Sequence, residues 1–482
     1  MPIYTDYSIL NQKTFSKYGL IIGPGGHGFG SFTALINNPD IEFSIVMTPM
    51  DDGGCTGRMQ KYFKAAIQNI NTYDIANFNK GKNPIALGDL KNNIKVWLTN
   101  YLENEMESKI IEQAFECRST CAVDLKNNFY KLAQVFPFLK KYWTSFCLLS
   151  ESYLDVLSKS QEAGEKTSFG NLLLQLLYNQ NANAREFFNE LKVNGITPKN
   201  VNLHFLVDQQ LTLRGVTESG KALNSEAELD VYQSDPVKIE SYKLYDSNNQ
   251  ELTIEKIFSL NPELSGLFRE IKHIKKQDVI ILFPPGSISN LFPTLNILSD
   301  LIRSLNLPVL WFTNAFIQGN EQRLETQIQK MHQMLSGIGS PLVVLGASQN
   351  PFDFVDAQSR PGLESAYLQE DKTQVDQHAV ARMMIDCNTS TIYSPSLDMT
   401  KIGGAGLKYR TEQIEEIVVA VMKIWDKIAE KYSDPGERLK RFVNIMKAKI
   451  PEEYRISIYQ ELCSTQELKL KTRDMQTLKT LR

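Results

Sequence analysis

The chain of 482 residues is 42% hydrophobic and carries a formal net charge of −3, so it is long enough for two or three units with buried cores and is neither disordered nor fibrous in composition. Lys and Arg are spread along the sequence, and no uncharged apolar run reaches the roughly 18 residues of a membrane span, so we expect neither a nucleic-acid nor a membrane partner. Six cysteines without a repeating spacing, and a beginning that does not resemble an export signal, predict a cytoplasmic protein with reduced thiols.

The N-terminal part of the chain predicts two strands that each open into a glycine-rich loop. The strands cover residues 18–22 and 43–48, and the loops after them read GPGGHGFG at residues 23–30 and DDGGCTGR at residues 51–58. Helices are predicted after the loops, over residues 31–37 and 56–70. Strands that alternate with helices are typical of parallel α/β sheets, whose ligand crevice lies at the carboxyl ends of the strands.

The middle of the chain predicts a helical insertion and then a return to the sheet. Residues 104–165 interleave aromatic and aliphatic side chains with Lys and Glu and lack strand-like alternation. The later predicted elements are strands over residues 202–208, 278–283, 308–313 and 341–345, an edge strand or hairpin over residues 229–232, and helices over residues 254–270, 291–305 and 414–431.

Together these elements predict an α/β protein with a Rossmann-like, mostly parallel sheet and helices on both faces. The first part of the nucleotide-binding core covers residues 1–103, and the helical insertion covers residues 104–165. The second part of the core covers residues 166–432. Residues 433–482 are charged, helical in pattern and short of strand signals, so we predict a helical C-terminal extension or a partner surface there.

The second glycine-rich loop contains the residue types that a bound phosphate and its metal need. Of the adjacent Asp51 and Asp52, one would hold Mg²⁺ and the other would orient water or a substrate hydroxyl. Thr56 at the helix start suits a phosphate, and Arg58 would add a bidentate anion contact. The alternative interpretation of the loop is a solvated acidic turn.

The first glycine-rich loop also has two interpretations. Gly23, Gly25 and Gly28 match the GxGxxG spacing of dinucleotide-binding turns, and they follow a predicted strand as that motif requires. The next strand ends in Val-Met-Thr without the acidic residue that would hold a ribose, which disfavours a nicotinamide cofactor. A tight turn with close helix packing is the structural alternative.

Three further helix starts carry polar groups. By spacing alone, Asp89 is favoured as the N-cap of a helix that begins after it. Residues 168–171 form a similar polar start. Residues 284–287 read PPGS after a buried strand, where Ser287 and Ser289 would offer hydroxyls to a ligand unless the segment is a plain strand-to-helix turn.

Several of these segments, in this order, resemble the family that contains 2-phospho-L-lactate transferase (CofD) and the YvcK gluconeogenesis-factor proteins. The match is nearer to the YvcK branch. Its motifs DDGGSSGRL, PPGDIRN, GNL, DG…GE, GPGSLYTS and N-x-x-TQ…E resemble residues 51–58, 86–92, 170–172, 218–226, 283–287 and 314–321. The resemblance covers roughly residues 18–426 outside the helical insertion.

The resemblance implies a Rossmann-like core that binds a nucleotide-linked diphosphate. In the transferase branch, a Mg²⁺-assisted reaction moves phospholactate from a guanosine diphosphate donor to a deazaflavin alcohol. In the YvcK branch, UDP-sugars bind and the protein regulates carbon metabolism and the cell envelope. The implied site comprises Asp51 and Asp52 for Mg²⁺, Asp52, Asp89 and Arg58 for catalysis, and, for the nucleotide or nucleotide-sugar, Gly25, Gly26, His27, Gly28, Thr56, Asn171, Gly286, Ser287, Ser289 and Asn314.

The sequence also departs from the family pattern. Pro24 removes one N–H donor from the first loop, and His27 replaces a small hydroxyl. Lys91 stands where the family has Arg, and residues 408–410 read KYR in place of a late RHD.

Three functions therefore remain open. They are a nucleotide-sugar-binding regulator, a Mg²⁺-dependent transferase, and an interaction protein with a retired site. The sequence leaves a homo-oligomer open as well.

Overall fold

The computed structural model describes residues 17–25, 32, 36–50, 54–70, 78–79, 81–102, 104–217, 219–225, 228, 239–274, 279–284, 288–305, 307, 309–312, 334, 342–346, 390–393, 397–403, 406–409, 428, 430–434, 437 and 441. The chain divides into two compact units. The first unit comprises Met1–Thr212 and Tyr245–Leu282, and the second comprises Leu213–Leu244 and Phe283–Arg482.

The elements are named here in chain order. Up to residue 205 they are β1 (Lys17–Ile22), β2 (Ile41–Met47), α1 (Gly54–Asn69), α2 (Gly88–Tyr101), α3 (Glu105–Glu116), β3 (Arg118–Ser119), α4 (Ala122–Val135), a 3-10 helix (Pro137–Tyr142), α5 (Trp143–Ser158), β4 (Thr167–Ser168), α6 (Phe169–Gln180), α7 (Ala184–Val193) and β5 (Val201–Phe205). They continue with β6 (Thr212–Thr217), β7 (Ala222–Leu223), β8 (Ile239–Tyr245), α8 (Ile254–Leu260), α9 (Pro262–His273), β9 (Val279–Phe283), α10 (Ile288–Leu305), β10 (Val309–Phe312), β11 (Leu342–Gly346), β12 (Ser390–Tyr393), β13 (Leu397–Gly403) and β14 (Gly406–Tyr409).

The first unit is built on parallel strands in the order β9-β1-β2-β5. Every residue of β2 and of β9 is buried, as expected for strands covered on both faces. The chain passes from β1 to β2 on one side, and much later it places β9 on the other side of β1. The strand order therefore reverses at β1, and in doubly wound sheets ligands bind at the carboxyl ends of the strands beside such a reversal.

The helices between residues 105 and 158 pack around aromatic rings. Phe129 of α4 stacks on Phe146 of α5 with ring centroids 4.5 Å apart, and Phe146 meets Phe169 of α6 edge-on at 5.4 Å. Aromatic side chains bury large areas, so this cluster provides much of the hydrophobic stabilisation of the helical segment. Its contact with Phe169 connects the segment to the helix that follows β4.

The second unit contains further parallel pairs, β10 with β11 and β11 with β12. It also contains a three-stranded sheet in the order β7-β6-β8 and the antiparallel pair of β13 and β14. Phe292 of α10 packs edge-on against Tyr242 of β8 and also contacts Trp311 of β10.

The α/β, Rossmann-like, mostly parallel fold predicted from the sequence is confirmed. One predicted element is wrong, because residues 254–270 form α8 and α9 rather than a single helix. The break falls at Asn261, since Pro262 lacks an N–H and disfavours helical backbone in the residue before it. The helices α3, α4 and α5 lie within the predicted helical insertion, whereas the predicted domain boundaries stay predictions.

Several predicted segments fall on residues that the structure does not describe, or describes only in part. They are the helix over residues 31–37, the edge strand over residues 229–232, the helix over residues 414–431 and the extension over residues 433–482. Among the described residues, no helix combines the length and the apolar character that crossing a membrane requires.

Candidate functional site

The N-termini of α1, α2 and α6 meet in the first unit. The side chain of Asn171 in α6 donates from Nδ2 to the hydroxyl oxygen of Thr56 in α1, at 3.2 Å. A Cβ built on Gly170 of α6 would lie 2.7 Å from Cγ and Cδ of Lys91 in α2, so the two helices approach closely at this glycine. Helix N-termini carry free N–H groups and a partial positive charge, and their meeting creates a local anion-binding potential.

Residues 169–179 of helix α6 are all buried although three of them are amides. Asn171, Gln175 and Asn179 are spaced by four residues and so lie on one face of the helix. Gln175 accepts from the backbone N–H of Ile85 at 3.3 Å, and Asn179 exchanges two hydrogen bonds of 3.0 Å with the backbone of Asn79. This face therefore binds the segment that leads into α2.

The C-terminal end of the same helix is held by a lysine. Lys82 donates from Nζ to the carbonyl oxygens of Tyr178 and Asn181, both at 2.9 Å. Burial lowers the pKa of this ammonium group. A cation at the negative end of the helix dipole stabilises α6 and fixes its orientation, with the N-terminus towards the site.

Asn171 is the most informative side chain of the site. It is 3% exposed, and its backbone N–H is capped by the Ser168 hydroxyl at 3.4 Å. Its Oδ1 atom is buried and accepts no hydrogen bond from the part of the chain that the structure describes. A buried acceptor without a partner costs about 1–3 kcal/mol, which marks the position as one that a donor from a ligand would satisfy.

Helix α2 begins one residue before Asp89. Its N-cap is Leu87, which makes no side-chain cap hydrogen bond, and the first helical residue is Gly88. The preference for Asp89 as the N-cap is therefore wrong. Spacing misplaced the helix start by two residues, and the half-buried Asp89 lies within the first turn, where its carboxylate interacts favourably with the helix dipole.

The loop after β1 is bonded to this same first turn. Gly23 has a φ of +65°, a backbone conformation that glycine adopts readily, and its N–H donates to the Val46 carbonyl at 2.9 Å. The Nδ2 atom of Asn93 donates to the Gly25 carbonyl at 2.8 Å and to the Asp89 carbonyl at 2.9 Å. Asn93 thus joins the end of β1 to the start of α2.

Helix α1 enters the site through Gly54, whose φ is +46°. Thr56 follows on the buried side at 5% exposure. The guanidinium group of Arg58 lies against the loop before β4. Nη1 is 3.3 Å from Glu165 Oε2, Nε is 3.8 Å from Glu162 Oε2, and Nη2 donates to the Lys166 carbonyl at 3.2 Å.

The structure brings Gly25, Thr56, Asp89 and Asn171 of the predicted site to one region of the first unit through the contacts above. Arg58 is on the same helix as Thr56, although its own described contacts are with residues 55 and 162–166. Ser289 lies in the first turn of α10, and its side chain is not described. The remaining predicted residues fall outside the described part of the chain: Gly26, His27, Gly28, Asp51, Asp52, Gly286, Ser287 and Asn314.

Two residues at the site were not among the predicted site residues. Asn93 holds the Gly25 carbonyl, and the stem of Lys91 packs on Gly170. Asn93 could have been found from its spacing, because it lies four residues after Asp89 on the same helical face. The Lys91 contact spans 79 positions of sequence, from residue 91 to residue 170, and no local pattern indicates it.

The arrangement has the chemistry of an anion site beside a hydrogen-bond acceptor. Backbone N–H groups of the helix starts and the Thr56 hydroxyl can donate to phosphate oxygens. Asn171 Oδ1 can only accept, and it would pair with a ligand hydroxyl or N–H group. Within the described ranges, no cluster of three His, Cys, Asp or Glu residues could hold a metal ion.

Comparisons with known proteins identify a structural relative. No protein-family model matches the sequence, and no curated protein matches it. Two crystal structures of protein BH3568 from Bacillus halodurans, one of them described as a member of the UPF0052 family, are similar to the chain. Each has a TM-score of 0.51 and 15% sequence identity, and each match covers 84% of this chain and 99% of BH3568. At this identity the likeness shows a shared fold, and the chain has the fold of BH3568.

Proposed function

We propose that the first unit binds a nucleoside diphosphate linked to a sugar, at the N-termini of α1, α2 and α6. The protein would be cytoplasmic and would use this ligand to regulate metabolism or the cell envelope. The observation that carries the proposal is the buried Asn171, whose Nδ2 bonds Thr56 while its Oδ1 has no partner among the described residues. That atom accepts, so it fits a sugar hydroxyl and not a phosphate oxygen.

The diphosphate would be bound by groups on either side of Asn171. The N–H groups at the helix starts and the Thr56 hydroxyl can donate to phosphate oxygens, and the helix dipoles favour a negative charge there. A phosphate next to a hydroxyl is the pairing found in a sugar diphosphate. The position of the site at the carboxyl ends of parallel strands beside the β1 reversal also supports a nucleotide-type ligand.

The resemblance in sequence and the likeness in fold support the same family of functions. The motifs at residues 51–58, 86–92 and 170–172 are the ones that contribute α1, α2 and α6 to the site. BH3568 is described as a UPF0052 protein, and this is the family that the motifs resemble. That resemblance is the reason why we propose a nucleotide-sugar as the ligand and regulation as the role.

Titration calorimetry with UDP-N-acetylglucosamine, UDP and UMP tests the proposal. We expect UDP-N-acetylglucosamine to bind more tightly than UDP, and UDP more tightly than UMP. Thr56→Val removes the hydroxyl at nearly constant volume and should weaken diphosphate binding about tenfold, in keeping with the loss of a charge-assisted hydrogen bond. Thr99→Val serves as the control, because in the described part of the chain this hydroxyl bonds only backbone carbonyls within α2. No heat with any diphosphate at millimolar concentration contradicts the proposal.

A second candidate function is a Mg²⁺-dependent transferase that moves a phosphoester group from a nucleoside diphosphate donor to a hydroxyl acceptor. The observation that favours it is Asp89, since a carboxylate in the first turn of α2 beside an anion site is suited to accept a proton from an incoming hydroxyl. Asp51 and Asp52 would hold the metal in this reaction.

The transferase is tested by nucleotide release from a guanosine diphosphate donor in the presence of Mg²⁺ and a hydroxyl acceptor. Asp52→Asn and Asp89→Asn should each abolish turnover while the protein stays folded by circular dichroism. Turnover that survives both substitutions contradicts these roles. Diphosphate binding without turnover in the wild-type protein favours the regulator.

A further inference from the structure

Arg58 is surrounded by groups of its own chain. Besides Glu162, Glu165 and the Lys166 carbonyl, its Nη2 atom lies 3.2 Å from Cys55 Sγ. All three guanidinium nitrogens are therefore engaged, and the side chain is only 16% exposed. An arginine that is paired with carboxylates and donates to groups of its own chain in this way fixes geometry more than it offers a free contact to an incoming anion.

The partners of Arg58 lie immediately before the residues that position Asn171. Lys166 precedes β4, Ser168 at the end of β4 caps α6, and Asn171 lies three residues further on. Asn171 then bonds Thr56, which is two residues before Arg58 on α1. Arg58 of α1 therefore bonds Lys166, the chain leads from Lys166 through Ser168 to Asn171, and Asn171 bonds Thr56 of α1.

We propose that Arg58 is a positioning residue, which clamps the loop of residues 162–166 to α1 and thereby sets the place of Asn171 in the site. The inference rests on the proposed function for its ligand, and it assigns Arg58 a role other than contact with that ligand. It also makes the loop that follows α5 a structural part of the site, because Glu162 and Glu165 supply the carboxylates of the clamp.

If Arg58 positions Asn171, and if it instead contacts the diphosphate, the same substitution of its carboxylate partners has opposite effects on ligand binding. The double variant Glu162→Gln, Glu165→Gln leaves Arg58 charged but loosens the clamp. If Arg58 positions Asn171, the variant binds UDP-N-acetylglucosamine three- to tenfold more weakly, the range expected when partly exposed ion pairs are lost, here the two of Arg58 and that of Glu162 with Lys61. If Arg58 contacts the diphosphate, removal of the competing carboxylates makes binding tighter, which overturns the inference. Asp155→Asn is the control, because among the described residues this carboxylate pairs with Lys159 alone.

Two measurements without ligand keep the inference testable by itself. The first is hydrogen exchange of the amides of residues 167–171, which should accelerate three- to tenfold in the Glu162→Gln, Glu165→Gln protein and stay unchanged in Asp155→Asn. The second is the side-chain amide signal of Asn171 in protein with 15N-labelled asparagine, assigned by its loss in Asn171→Ala. We expect this signal to shift in the double variant. Unchanged exchange and an unchanged signal overturn the inference.

Failure of the inference and failure of the proposed function are distinguishable. If the wild-type protein binds no diphosphate, the proposed function fails, and the exchange and the Asn171 signal still decide whether Arg58 positions this residue. If the wild-type protein binds UDP-N-acetylglucosamine and the double variant binds it equally well or more tightly, the proposed function stands and the positioning role of Arg58 is wrong.

Discussion

At the scale of single residues, Gly170 sets how closely α6 approaches α2. Gly170→Ala would place a methyl group 2.7 Å from Lys91 Cγ and Cδ and 3.2 Å from Phe115 Cδ1. Lys91 is 7% exposed, so its stem has little room to move. We expect the substitution to lower the free energy of unfolding by about 1–2 kcal/mol, since overpacking outweighs the gain in helix propensity. Urea denaturation measures the change.

A double-mutant cycle isolates this contact. Gly170→Ala should cost much less in a Lys91→Ala background, because the clash at 2.7 Å is then absent and the milder contact with Phe115 Cδ1 at 3.2 Å remains. Gly81→Ala is the control, since among the described residues the methyl group there would meet Asn79 Oδ1 alone, at 3.4 Å. A coupling energy near zero between residues 91 and 170 contradicts the prediction.

His204 on β5 predicts a pH dependence of stability. Burial, followed by the charges of Lys192 and Arg185, lowers the pKa of this imidazole to about 4. The Nε2 atom is buried without a hydrogen-bond partner in the described structure, although the residue as a whole is partly exposed. The unfolded chain binds a proton near pH 6.5 and the folded chain near pH 4, so this contribution to stability is full above pH 6.5 and is lost as the pH falls through 4.

The loss should reach about 3 kcal/mol at pH 4, from a shift of roughly 2.5 units at 1.36 kcal/mol each. Glu42 acts in the opposite direction, because burial raises the pKa of its carboxyl above the usual value. We therefore compare denaturation of the wild-type protein and of His204→Gln between pH 7 and 4.5. The variant should lose less stability over this interval, and equal losses contradict the prediction.

At the scale of elements, Asn261 connects two helices to the sheet. Its side chain caps α9 by accepting from the Leu264 N–H at 3.1 Å and donates to the Phe205 carbonyl at the end of β5, at 2.8 Å. Asn261→Ala should lower the free energy of unfolding by about 2–3 kcal/mol, the sum of a lost cap and an unpaired carbonyl. Thr253→Ala removes the cap of α8 and an exposed hydrogen bond to the Glu255 side chain, and it should cost about 1 kcal/mol. Equal values in urea denaturation contradict the dual role of Asn261.

The predictability of the elements depended on how local their signals are. The strands β1, β2 and β9 were predicted within two residues, because uninterrupted apolar runs leave few alternatives for a buried parallel strand. The break at Asn261 carried a local signal in Pro262, and a periodic apolar pattern on both sides obscured it. The start of α2 was misplaced because its N-cap is Leu87, an uncommon residue at this position.

The contacts within the candidate site were harder to predict than the elements, because they join residues that are far apart in sequence. Thr56 and Asn171 were both named from their places at helix starts, but their hydrogen bond joins residues separated by 115 positions. The tie from Asn93 to Gly25 spans 68 positions. Arg58 was given a ligand contact from its type, its place in the second glycine-rich loop and the family resemblance, whereas its partners in the loop of residues 162–166 become neighbours only when the helical segment folds back on α1. Contacts of this range depend on the whole fold.

At the scale of the whole molecule, the site draws on three segments that are distant in sequence and adjacent in the first unit. A diphosphate bound there should slow hydrogen exchange in residues 54–58, 88–93 and 168–171 together, because one ligand would stabilise all three helix starts. Exchange in α4 and α5 away from the site should change little. Mass spectrometry of the wild-type protein with saturating UDP measures this pattern, with UMP as the weaker control. Added Mg²⁺ should extend protection to residues 51–53 if Asp51 and Asp52 hold the metal. Protection of only one segment, or of the second unit alone, contradicts the shared site.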